Sequence, residues 1–174
     1  MTEPEFRAAF HQHQDAVYRF AWRMTNSAVA AEDIAQDVFL TLLRRPDCFD
    51  RTRGQLRSFL LGVARNLALK KWRDEGHWDV LDDESSFVHP VDAASGEIAR
   101  MVGDAVNALP PLQREVLILA QYEGNSLEEI ARAVNSEVGV VKARLHRARE
   151  NLRRMLAPLK ESIGRTSASH GTPK

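Results

Sequence analysis

Apolar residues in this chain recur at steps of three and four, and the period lapses for any length only over residues 76–97, before the C-terminal tail. Steps of three and four stack side chains on one face of a helix, whereas a half-buried strand needs a step of two. No sustained step of two occurs. The chain is therefore expected to be all-α, with two small helical domains joined by a flexible acidic linker. The boundaries read as a first domain over 1–75, a linker over 76–97, a second domain over 98–157 and a disordered tail over 158–174. Gly, Pro, Ser and clustered acids mark the linker, and small polar residues mark the tail.

In the first domain, Phe6, Phe10, Val17, Phe20, Ala21 and Met24 define one face of a long helix. A second helix runs from about Ala31 to Arg45, with Ile34, Val38 and Leu42 aligned and Phe39 and Leu43 widening the stripe. Pro46 ends it, because the residue before a proline is pushed out of helical dihedrals. After the loop FDRTRG comes a third helix, with Leu56, Phe59, Leu60, Val63 and Leu67 on one side. Its other side carries Arg57, Arg65, Lys70, Lys71 and Arg73.

In the second domain, Ile98 to Ala108 is periodic and stops at LPPLQRE. Pro110 and Pro111 break the chain and open the next helix, since proline is tolerated in a first turn. Leu112, Val116, Leu119 and Ala120 form its apolar face, and Gly124 and Asn125 close it. Ser126 and Glu129 make a capping box for a helix of about eight residues, with Leu127, Ile130, Ala131 and Val134 inward. The turn Asn135-Ser136-Glu137 leads to a longer helix with Val138, Val141, Leu145, Ala148, Leu152 and Met155 along its stripe.

Charge decides what this last helix is for. The chain has 24 Lys and Arg against 24 Asp and Glu, but they are segregated. Residues 1–75 hold 12 basic and 10 acidic side chains, 76–108 hold 1 and 7, and 109–174 hold 11 and 7, giving nets of +2, −6 and +4. A chain neutral as a whole can still bind a polyanion through its third part. Lys142, Arg144, Arg147, Arg149, Arg153 and Arg154 lie off the apolar stripe, opposed between 142 and 154 only by Glu150. Gly139 removes bulk near the helix start, where base edges and phosphates would approach. A short capped helix, a three-residue turn and a basic amphipathic helix match the DNA-binding helix-turn-helix. The plainer alternative is a solvated face of a bundle helix.

Other classes find little support. With 44% hydrophobic and 28% charged residues the composition is globular. The single Cys48 allows no internal disulfide or multi-cysteine zinc site and fits a reducing compartment. The start MTEPEFRAAF lacks the basic and apolar regions of a signal peptide, and the apolar run Val116 to Ala120 falls far short of the roughly 20 residues that span a bilayer. A cytoplasmic protein without membrane insertion is expected. His11 and His13 form an HxH pair with no third ligand motif nearby, and Cys48 has no catalytic signature. No metal, no cofactor and no enzymatic activity are expected.

Three segments in order, AEDIAQDVFLTLLRR, FDRTRGQLRSFLLGVARNLALKKWRDE and LPPLQREVLILAQYEGNSLEEIARAVNSEVGVVKARLHRARENLRRML, resemble the sigma-seventy family of bacterial transcription initiation factors. The brevity and two-domain layout are similar to its extracytoplasmic-function (ECF) group, and the resemblance covers about residues 5–75 and 98–157. It implies a protein that binds core RNA polymerase and directs it to promoters. By resemblance, Asp33, Gln36 and Asp37 on the second helix would dock on the clamp of the largest polymerase subunit. The loop from Phe49 to Gly54 and the helix after it would handle the minus-ten element and capture a flipped base. The residues implied there are Arg51, Arg53, Arg57, Arg65, Asn66, Lys70, Lys71 and Arg73. Trp72 would either stack on a base or pack half-buried. For the minus-thirty-five element the resemblance implies Val140, Lys142, Ala143, Arg144, His146 and Arg147, with Arg114 and Arg132 as phosphate clamps. It further implies an anti-sigma protein as partner.

Two departures from the family pattern stand out, the turn of the helix-turn-helix and Lys70, which stands where an acid is common. Asn135-Ser136-Glu137 replaces the usual Gly, aliphatic residue and Ser in the turn. Asn135 tolerates the left-handed conformation, but Glu137 is a poor N-cap, which would let the recognition helix begin one residue earlier. Two rival readings stay open. One is a sigma-mimicking decoy that titrates an anti-sigma protein and never binds promoters, and the other is a dimeric regulator using the C-terminal unit alone. The basic last helix and the FDRTRG loop weigh against the first, and the whole first domain against the second.

Overall fold

A computed structural model describes residues 2–76 and 98–158. The acidic linker expected over 76–97 lies outside the described residues except for Gly76, and the tail over 158–174 except for Pro158. Among the described residues there are seven α-helices and no strand.

Helix α1 (Glu3–Thr25) opens on a capping box that periodicity did not reveal: Thr2 accepts the Glu5 amide and Glu5 accepts the Thr2 amide. It closes at Asn26, left-handed at φ 52°, whose amide bonds the Trp22 carbonyl at 2.7 Å. Helix α2 (Ala28–Arg44) starts three residues before the expected position. Its start is set by the Ser27 hydroxyl, which accepts the Ala30 amide, rather than by the onset of the apolar stripe. Two single-turn 3-10 helices, Pro46–Cys48 and Arg51–Arg53, lead into α3 (Leu56–Asp74). Phe20, Ala21, Met24, Val38, Leu42, Leu60, Leu61, Ala64 and Ala68 are buried where α1, α2 and α3 meet, and Phe6 and Phe10 meet the Phe39 ring edge-on.

The sequence misassigned the faces of α3. Its deepest positions include Leu60, Leu61, Gly62, Ala64 and Ala68, while Leu56, Phe59, Val63 and Leu67 are half-buried. The reason is that α3 packs twice, against α1 and α2 on one side and against α6 on another. A helix with two partners has no single apolar stripe.

Helices α4 (Ile98–Asn107), α5 (Pro111–Gln121), α6 (Leu127–Ala133) and α7 (Val138–Met155) follow. Ser126 and Glu129 form the expected capping box, with bonds of 3.2 and 2.8 Å. Helix α6 ends in a Schellman motif: Asn135 is left-handed at φ 50°, the Ser136 amide bonds the Ala131 carbonyl and the Asn135 amide bonds that of Arg132. Helix α7 begins at Val138 with Glu137 as N-cap and no side-chain capping bond, so the earlier start does not occur.

Helix α5 lies against α1, α6 and α7 and is buried on nearly all sides from Pro111 to Leu119. One apolar core runs through both halves of the molecule.

Candidate nucleic-acid interface

On α2, Asp33, Gln36 and Asp37 are exposed opposite the buried Ile34 and Val38. Their spacing of three and four gives one continuous polar patch on a rigid helix.

The loop before α3 is built by Asp50, which accepts both the amide and the hydroxyl of Thr52 at 2.9 and 2.7 Å. Those two bonds and the nearby Arg53 hold its carboxyl below the usual range. Arg51 and Arg53 are exposed, and Arg51 reaches Glu5 at 3.3 Å. Asn66, Lys70, Lys71 and Arg73 are exposed along α3. A cleft of about 390 Å³ lies between Phe49, Arg53 and Asn66 on one wall and Arg132 and Asn135 on the other.

Arg57 and Arg65 are placed differently. Arg57 donates to the Glu123 carboxylate at 2.5 Å and to its carbonyl at 2.9 Å. Arg65 holds Glu115 through Nε at 2.6 Å and Nη2 at 3.1 Å. On α7, Val140, Lys142, Ala143, His146 and Arg147 are exposed, whereas Arg144 is half-buried with Nη1 3.7 Å from Glu115. Arg132 is exposed.

Arg114, expected at a phosphate, is buried at 3% exposure. It donates to the carbonyls of Met24 at 2.9 Å and Leu109 at 3.1 Å, and to that of Asn107. Its guanidinium covers the Trp72 ring at 4.8 Å, which gives Trp72 a packing role here. Desolvation lowers the Arg114 pKa to about 10, still far above neutrality.

Sequence reasoning passed over Glu115 and Glu123. A signal existed for Glu115, since it stands three residues after Leu112 and four before Leu119, on the apolar stripe itself. A carboxylate there is desolvated, and it needs cations brought to it from elsewhere in the chain. The arginines found there are the partners that rule demands.

Comparison with known proteins identifies the family. Residues 9–77 match the family model "Sigma-70 region 2" and residues 99–152 match "Sigma-70, region 4". Those two regions in that order, on this helical fold, define a sigma factor of RNA polymerase, and the chain belongs to the sigma-70 family. Within that family it belongs to the ECF group. It is 32% identical to the ECF RNA polymerase sigma factor SigW of Bacillus subtilis, over 84% of this chain and 86% of that protein. It is 31% identical to the ECF sigma factor SigE of Mycolicibacterium smegmatis over 88% of this chain, and spans 62% of that longer protein. Among solved structures, the sigma factor RpoE in complex with the anti-sigma factor NepR from Bartonella quintana is similar, with a TM-score of 0.70 and 27% identity. That likeness covers 88% of this chain and 97% of RpoE. Among the described residues no helix is long and apolar enough to cross a membrane.

Proposed function

We propose that this chain binds bacterial core RNA polymerase and directs it to a specific set of promoters. The observation that carries this reading is the pairing, in one chain, of an exposed polar patch on α2 with a helix-turn-helix whose second helix is basic outward. In this reading Asp33, Gln36 and Asp37 dock on the polymerase. Arg51, Arg53, Asn66, Lys70, Lys71 and Arg73, with Arg57 and Arg65 once released, hold the minus-ten strand. Val140, Lys142, Ala143, Arg144, His146 and Arg147 read the minus-thirty-five element, and Arg132 holds a phosphate. Residues 1–75 and 98–157 are then the two functional domains.

The chain supplies contacts and the polymerase supplies the chemistry, so it is not an enzyme, takes no cofactor and works in the cytoplasm. An anti-sigma protein is the proposed regulator, a reading supported by the resemblance to RpoE, solved with its anti-sigma factor. The decoy reading fits less well, because titrating a partner calls for no basic reading face.

Size-exclusion chromatography with bacterial core polymerase tests the docking claim. The wild-type chain is expected to co-elute, and the triple variant Asp33→Ala, Gln36→Ala, Asp37→Ala to lose most of that association. Equal co-elution of the two would overturn the assignment to α2.

A further inference from the structure

We propose that Glu115 and Glu123 form an internal latch that folds the free chain shut by occupying arginines of both DNA-reading surfaces. The proposal rests on the reading that Arg57, Arg65 and Arg144 contact promoter DNA. Glu115 and Glu123 are almost fully buried, and each holds an arginine of α3. Glu115 also draws in Arg144 of α7, so one carboxylate joins the minus-ten helix to the recognition helix. Arg23 closes the set, with Nη1 4.0 Å from Glu123 and its guanidinium 4.2 Å over the Tyr122 ring.

A carboxylate held by the two-pronged guanidinium of Arg65 has the geometry that a phosphate would use. Arginines so engaged are unavailable to DNA until the pairs break.

The backbone supports the same closure. A Cβ at Gly62 on α3 would lie 3.0 Å from the Ala133 carbonyl oxygen and 3.5 Å from its Cα, and the three atoms nearest to it all belong to Ala133. Gly62 thus permits α6 to rest on α3, and a larger side chain there meets the second domain first. Next to this contact the Asn125 amide reaches the Ser58 hydroxyl at 3.4 Å. The loop and the helix-turn-helix turn face one another across the 390 Å³ cleft.

Two independent variants of the full chain test the latch. Glu115→Gln with Glu123→Gln removes the charges that hold the arginines. Gly62→Leu wedges α3 from α6 and leaves every charge in place. Solution scattering should give a compact wild-type protein and a larger radius of gyration for both variants, with circular dichroism showing unchanged helix content. Binding of the free chain to a random-sequence DNA duplex should tighten several-fold for both. With three arginines released, the slope of log affinity against log salt should steepen by about two to three.

The glutamine variant gains duplex affinity from its altered net charge alone, so Gly62→Leu is the deciding one. A wild-type chain that is already extended would overturn the latch, as would a Gly62→Leu protein as compact as wild type. An expanded Gly62→Leu that binds duplex no better would overturn the occlusion of the arginines. Co-elution with polymerase, measured separately, reads the proposed function whichever way the latch falls.

Discussion

Arg114 ties the end of α1 to the end of α4 and the turn after it by donating to Met24, Asn107 and Leu109 carbonyls while lying over Trp72. Removing it leaves buried carbonyls without their donor, so Arg114→Ala should lower the free energy of unfolding by about 2–4 kcal/mol. Urea denaturation measures this. An unchanged midpoint with weakened DNA binding would instead favour the phosphate-clamp role implied by resemblance. His13 makes a second case. It is buried in α1, and desolvation, followed by the charge of Arg57, holds its pKa below the ordinary 6.5. As pH falls through 6.5 the unfolded chain takes up this proton before the folded one does. Stability should therefore decline from there down to the lower folded pKa and be level above 6.5. His13→Gln should flatten that part of a plot of melting temperature against pH.

At the scale of the element, the helix-turn-helix connection is fixed by backbone geometry. Asn135 takes the left-handed turn with two Schellman bonds, and α7 then starts without a side-chain cap. Asn135→Gly should be nearly neutral, whereas Asn135→Val should lose about 1–2 kcal/mol, since a branched Cβ crowds the backbone there. Glu137→Ser or Glu137→Asp should gain about 0.5–1 kcal/mol by capping α7. Thermal unfolding of each variant resolves these signs. Local chemistry of this kind was legible in the sequence: the Ser126–Glu129 box, the Asn135 turn and the α7 stripe could all be read from spacing. That α7 keeps its start at Val138 despite the poor cap was not, because the Schellman bonds set the register before any capping preference acts. Nor were the faces of α3, because Gly62 is small for the sake of α6 and Ser58 faces Asn125 just before it, both far away in the chain.

For the whole molecule, a net charge of zero hides two opposed uses of charge. Exposed cations line α3 and α7, while Arg57, Arg65 and Arg144 are paired with the buried carboxylates of Glu115, on α5, and Glu123, just beyond its end. The family and the all-helical fold could be read from the order of the motifs. Which arginines are occupied could not, since that depends on how the two halves meet across residues 77–97. Asp33, Gln36 and Asp37 lie on a patch separate from these pairs, so under the proposed function polymerase docking need not await release of the arginines.

The most direct test of the central claim is run-off transcription by bacterial core polymerase on a pool of linear promoter fragments, with and without this chain. The account predicts discrete transcripts only when the chain is present. Lys142→Ala with Arg147→Ala should abolish them while co-elution with polymerase persists. A chain that yields no transcript and does not associate with polymerase would contradict the account and leave the decoy in its place.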